Sequence, residues 1–311
     1  MSKVFKGVLL LTLFMLVLAG CSTKAPGSTE KASGTAEKSG KIKIGLSIST
    51  LNNPFFVSLK EGAEKEAKAQ GAEIITVDAQ NDSAKQVNDI EDLIQKKVDV
   101  LLINPTDSDA VTAAVESANN ANIPVITVDR SANGGKVVSH IASDNVAGGK
   151  MAGEFIVDKL GKKGNIVELE GIPGSSAARE RGEGFHKAID GVSEIKVVAK
   201  QAADFDRAKG LSVMENILQA NKNVQAVFAH NDEMALGALQ AIEAAGLKNV
   251  IVVGFDATDD AVKAVKDGKM AATVAQKPTD IGKKGVETAI KVSKKESVEK
   301  FIPIPLDLIK Q

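Results

Sequence analysis

The chain has 311 residues, 43% hydrophobic and 25% charged, a globular composition long enough for two cores of ordinary domain size. A formal net charge of -1 offers no bulk attraction to nucleic acid or to an anionic membrane surface, and no local basic patch replaces it, so nucleic acid is not expected as a partner. The single cysteine, Cys21, excludes an intrachain disulfide, and the fold must stand on packing alone.

In chain order, Lys3 and Lys6 precede the apolar stretch from Val8 to Leu18, the charged-then-apolar layout of an export signal over residues 1–20. The stretch is short for a membrane-spanning helix, which needs about 20 apolar residues. Leu18-Ala19-Gly20-Cys21 resembles a bacterial lipobox, which implies cleavage before Cys21 and lipid attachment to its thiol. Residues 21–40 are small, polar and charged and read as a flexible tether, because they bury too little apolar surface to offset their ordering.

From residue 41 onward, short β-branched runs alternate with longer stretches of helical period, which points to an α/β fold of parallel strands joined by crossover helices. Strands are expected at 42–47, 73–78, 100–103, 125–128 and 137–141, then at 165–170, 195–199, 226–229, 250–254 and 272–275. In the first crossover, Phe56, Leu59, Ala63 and Ala67 recur at steps of three and four before Gly71, a C-terminal cap. Two similar α/β units follow, with a boundary near residues 142–146. The tail, with Pro303 and Pro305, reads as an extended strut crossing between them.

Ligands of open parallel sheets bind outside the carboxyl ends of the strands. Six such ends here carry polar residues: Asn52 and Asn53, Asn104, Asp129 and Arg130, Asn231, Asp256 behind Phe255, and Gln276. One such residue is ordinarily a helix cap or turn former, but six together make a candidate site. Carboxylate, guanidinium and amide groups between them donate to and accept from hydroxyls. Their charges nearly cancel, which argues against an anionic ligand and for a neutral polyol. Phe55, Phe56, Phe205 and Phe255 flank the same loops, where flat rings can cover the C–H faces of a sugar. A hydrophobic staple is the competing reading for one of Phe55 and Phe56. The loop 171–184 has neither Walker nor dinucleotide glycine spacing. There Arg181 is taken as a ligand donor and Arg179 as part of a solvated helix face. His140, His186 and His230 are too scattered for a metal site. His230, as a neighbour of Asn231, could tune the pocket, but a surface or loop histidine is the expected reading. No cofactor is called for.

"STLNNPFF", "LLINPTDSDA", "IPVITVDR", "SHIASDN", "SAARERGEGF", "ADFDRAKG", "NDEMALGAL" and "VVGFDATDD" together closely resemble the ribose-binding members of the periplasmic binding proteins, substrate-binding components of ABC sugar importers. The resemblance runs from about residue 41 to the C-terminus. It implies two Rossmann-like domains with parallel sheets joined by a three-strand hinge, spanning 41–143 plus 277–304 and 144–276 plus 305–311, with crossings near Ser143, Gln276 and Ile304. It implies sugar contacts at Asn53, Asp129, Arg130, Arg181, Asn231, Asp256 and Gln276 and ring stacking by Phe55, Phe56 and Phe205. Ser49, Asn104, Ser143 and Phe255 would stand just behind them, Asn104 in part structurally. The implied ligand is D-ribose, with allose or another monosaccharide as the alternative. The implied partners are an ABC permease, or a chemoreceptor or sensor, met by a monomer held at the membrane by its lipid alone. Cys21 departs from the family's soluble members and points to a tethered, extracytoplasmic form. Asp129 and Asp256 could be imagined as a hydrolase pair, but Arg130 is expected to depress the raised pKa such chemistry needs. A sugar-responsive transcription regulator would carry a DNA-binding segment where the export signal stands.

Overall fold

The computed structural model describes residues 40–311; the export signal, Cys21 and residues 21–39 of the tether lie outside the described residues. The first unit runs β1 (Lys43–Ile48), α1 (Pro54–Ala69), β2 (Glu73–Asp78), α2 (Ser83–Gln95), β3 (Val100–Ile103), α3 (Thr112–Asn120), β4 (Val125–Val128) and β5 (Val137–Ser143). The second runs α4 (Asn145–Lys159), β6 (Lys163–Glu170), α5 (Ser176–Ile189), β7 (Glu194–Ala202), α6 (Arg207–Ala220), β8 (Ala226–Ala229), α7 (Asp232–Ala244), β9 (Ile251–Asp256), α8 (Asp259–Lys266) and β10 (Ala272–Ala275). The chain then returns through α9 (Pro278–Ser293) and β11 (Phe301–Ile304) and ends in β12 (Asp307–Lys310).

Two six-stranded sheets result, ordered β11-β5-β4-β3-β1-β2 and β12-β10-β9-β8-β6-β7. Every pairing is parallel except that of β10 with β12. In each sheet the order reverses beside the first strand of its unit, β1 in one and β6 in the other. Such a reversal opens a crevice at the strands' carboxyl ends, because successive crossovers leave it in opposite directions. The chain crosses between sheets three times, from β5 to α4, from β10 to α9 and from β11 to β12.

Both faces of each sheet are covered, so the strands read as near-continuous apolar runs. Alternate residues of β3 go to opposite sides: Val100 and Leu102 pack with α1 and α9, Leu101 and Ile103 with α2 and α3. The second sheet is sandwiched in the same way between α6–α8 and α4–α5. Helix starts are set by local chemistry. Asn53, Asp82, Asp144, Asp206 and Asn231 each accept a hydrogen bond from an amide in the first turn of the following helix, and Pro54 stands at the start of α1, where no amide is needed.

The expected strands are present with ends shifted by a few residues. The strand expected at 195–199 is longest in excess, since β7 keeps pairing with β6 out to Ala202. The tail is extended as expected, but it divides into β11 and β12, which close the edges of different sheets. At the edge that β11 forms, Pro303 can sit without costing a ladder bond.

Candidate functional site

The carboxyl ends of the two sheets face each other, and eleven side chains from both line one cavity: Asn53, Phe55, Phe56, Asp129, Arg130, Ala177, Arg181, Phe205, Asn231, Asp256 and Gln276. All ten residues expected to touch a ligand are among them. Ala177 was not expected; a small apolar residue carries no chemical signal, and only its place one turn before Arg181 marks it.

From the first unit come the loops after β1 and β4. Asn53 caps α1 by accepting from the Phe55 amide at 2.9 Å and is itself nearly buried. Phe55 and Phe56 meet edge to face, centroids 5.1 Å apart, and both pack on the core of the first sheet. Core packing and cavity lining are therefore not alternatives, since both rings do both; neither ring is a hydrophobic staple, because they stand at the second and third positions of α1. Arg130 lies between Phe56 and Phe205, its guanidinium carbon 5.0 Å from each ring centroid, a cation held by two aromatic faces.

From the second unit, Arg181 rises from the first turns of α5. Its Nε donates to Asn145 Oδ1 at 2.9 Å, its Nη1 to the His230 carbonyl at 2.6 Å, and its guanidinium stacks on Phe255 at 3.8 Å. Asp256 accepts from Gln276 Nε2 at 2.9 Å and pairs with Arg181 at 3.6 Å. Asn231 caps α7 through Oδ1 and donates from Nδ2 to the Phe205 carbonyl at 3.2 Å. Asp129, Phe205 and Asp256 all have positive φ, at 64°, 61° and 118°. Three non-glycine residues in a region that side chains disfavour is strain gathered at one cavity.

Two carboxylates face two guanidinium groups, so the set is balanced. Asp129 Oδ1, Arg130 Nε and Gln276 Oε1 are buried and make no hydrogen bond, although buried polar groups are ordinarily satisfied. Burial pushes the Asp256 carboxyl up from 3.8 to about 7 against the pull of Arg181, and raises Asp129 against the pull of Arg130. Arg130 is lowered to about 10 by the same desolvation, with Asp129 opposing. Arg130 does pull both carboxyls down as expected, but no net depression follows, because removing the charges from water outweighs their attraction.

The residues expected behind the contacts differ in role. Asn104 Oδ1 accepts from the Ser49 amide and hydroxyl at 3.2 and 2.7 Å, and its Nδ2 donates to Asp129 Oδ2 at 3.2 Å. It holds Asp129 and does not line the cavity. Phe255 supports Arg181 from below, and Ser143 ends β5 with a buried hydroxyl that has no partner. Asn52 and Arg179 are exposed.

His230 is a correction in part. It stands in the loop between β8 and α7, but it is fully buried, not at the surface, and its ring meets Glu168 at 3.0 Å. A strand-end position beside Asn231 was the available sign, but its partner stands 62 residues away. Asn145 was also missed, though it follows a strand end like the others.

A family model described as a periplasmic binding protein domain matches residues 44–297. The ribose import binding protein RbsB of Bacillus subtilis (strain 168) is 57% identical over 299 residues, 96% of this chain and 96% of its own. The protein of the same name from Escherichia coli (strain K12) is 58% identical over 278 residues, 89% of this chain and 94% of its own. A solved ABC transporter solute binding protein from Mycobacterium smegmatis, with bound glycerol, superposes with a TM-score of 0.84 at 39% identity, covering 87% of this chain and 94% of that one.

Proposed function

The chain belongs to the periplasmic binding protein family, and from that premise we propose that it captures D-ribose between its two sheets and delivers it to an ABC transporter. The observation that carries this reading is the trio of buried atoms without a hydrogen bond, Asp129 Oδ1, Arg130 Nε and Gln276 Oε1, in a cavity walled by rings whose formal charges cancel. Two acceptors and a donor of that kind suit vicinal hydroxyls, and Phe55, Phe56 and Phe205 suit the apolar faces of the sugar. The names of the two RbsB relatives support ribose over allose and other monosaccharides.

Ligand contacts come from both units, 41–143 plus 277–304 on one side and 144–276 plus 305–311 on the other. A ligand that touches both favours the state in which they meet over one in which they stand apart, by its difference in affinity for the two. Hydrogen bonds to charged groups contribute about 1.5–3 kcal/mol each, so a handful exceeds the ~8 kcal/mol of micromolar binding. The closed form is what a permease, or a chemoreceptor or sensor, reads. The relatives are import binding proteins, not enzymes, and ribose is returned chemically unchanged. The protein works outside the cytoplasm as a monomer, held to the membrane through lipid on Cys21. Among the described residues no helix is long and apolar enough to cross a membrane.

Titration calorimetry with ribose, allose, other pentoses and glycerol tests the ligand. Ribose is expected to bind most tightly, and a stronger response to allose would transfer the assignment. Mass spectrometry of the membrane fraction tests the lipid, which is expected on the N-terminal cysteine of the processed chain.

A further inference from the structure

Behind the cavity lies a polar group that is not among its lining residues. Glu168, midway along β6, and His230, at the end of β8, are both fully buried. Glu168 Oε1 meets His230 Nε2 at 3.0 Å, and the Gly171 amide approaches His230 Nδ1 at 3.4 Å. An amide donating to Nδ1 puts the ring proton on Nε2, where it donates to Glu168. Both sides of the imidazole are thereby held. The other carboxylate oxygen, Oε2, meets His186 at 3.0 Å and Lys200 at 3.5 Å, so the buried charge is compensated. Burial pushes the His230 pKa down, and the Glu168 pKa is lowered because its hydrogen bond and cationic neighbours outweigh desolvation.

A buried pair of this kind contributes little stability compared with apolar residues of the same volume, so its use lies in fixing a geometry. The main chain of His230 shows which one. Its amide donates to Leu169 at 2.9 Å, and its carbonyl receives Arg181 Nη1 at 2.6 Å. The next side chain, Asn231, holds the Phe205 carbonyl. Two walls of the cavity therefore hang on the His230–Asn231 dipeptide. Gly182, next to Arg181, leaves room for the pair: a Cβ there would lie 3.3 Å from His230 Cε1 and 3.4 Å from Glu168 Oε1.

We propose that His230, clamped by Glu168, is a positioning residue for the binding reaction: it aims its own carbonyl at Arg181 and so presents the guanidinium to the ligand. This rests on the sugar-binding reading. Gln can reproduce the Nε2 donor to Glu168, Asn only the acceptor for Gly171, and Leu neither.

The three variants are compared by ribose calorimetry and by thermal melting without ligand. His230→Gln is expected to stay within roughly threefold of the parent affinity, and His230→Asn and His230→Leu to weaken it roughly tenfold or more. The loss caused by His230→Leu is expected to shrink to under about half, in logarithmic units, in an Arg181→Lys background, because the two residues act as one unit. Should His230→Leu fail to fold, His230→Asn takes its place in the cycle. Equal losses in both backgrounds, affinities that merely follow the melting temperatures, or a Gln variant no better than Asn would overturn the proposal. A parent protein that binds no sugar of the panel would instead overturn the sugar reading, and this inference with it.

Discussion

Asp256 is pulled two ways. Desolvation favours its neutral form, while Arg181 and Gln276 favour the carboxylate, and desolvation dominates, leaving the pKa at about 7 instead of 3.8. In this closed arrangement the native state then binds this proton more tightly than the unfolded chain does. The associated stability is fully present below pH 3.8 and is lost as pH rises through about 7. Melting curves across that window are expected to show the parent protein losing stability relative to Asp256→Asn as pH rises, with a constant difference above it; parallel curves would refute the shift. A sugar hydroxyl donates more strongly to the ionised carboxylate than to the carbonyl oxygen of the neutral acid, so ribose affinity should weaken as pH falls below neutrality. A dissociation constant that is flat from pH 5.5 to 8, about the range of this titration, would show that ribose binding does not favour the ionised form of Asp256. Asp256→Ala is expected to cost roughly 2–3 kcal/mol of binding, because sugar donors and Gln276 lose their acceptor.

Among the elements, α4 and α5 are the pair on which the position of Arg181 depends. They approach so closely that a Cβ on Gly149 would lie 2.0 Å from the Arg181 carbonyl, and one on Gly184 would lie 2.0 Å from the Val146 carbonyl. Gly149→Ala must push α5 outward and carry Arg181 with it. About 1–3 kcal/mol of stability should be lost, as is usual for overpacking, together with ribose affinity. Gly191→Ala just beyond α5, where nothing lies within 4 Å, is the matched control and should change neither. Denaturant melts and calorimetry on both variants check this; an unaffected Gly149→Ala affinity would show that Arg181 tolerates displacement.

For the whole molecule, the relevant contacts are those made directly between the two units. The Ser108 amide donates to the Gly174 carbonyl at 2.9 Å, and the Ser131 amide to Ser176 Oγ at 2.9 Å. A Cβ on Gly174 would fall 1.8 Å from Asp107 Oδ2. Asp107 cannot easily swing aside, since its other oxygen accepts from the amides of Asp109 and Ala110. Gly174→Ala is therefore expected to disfavour the closed form while sparing each unit's core. Ribose affinity should fall roughly tenfold, by the fraction of closed form lost, with the ligand-free melting temperature retained. Small-angle scattering should show less compaction on adding ribose than in the parent, and equal compaction would exclude Gly174 from the closing interface.

The sequence by itself determined the runs that become strands, the caps that start α1 and α7, and the polar residues that follow the strands. These are local properties: apolar period, a side-chain oxygen within reach of the next turn's amides, and the rule that parallel strands present their carboxyl ends to a ligand. Ten cavity residues could be named on those grounds and on resemblance. Only the tertiary structure decided how the members of that set act on one another. It brought Arg130 between rings from different units, made Phe55 and Phe56 both core and lining, and seated His230 on Glu168. It also reversed the expected balance at Asp129 and Asp256, because a pKa depends on how much water the surrounding fold removes, and burial is a sum over neighbours distant in sequence.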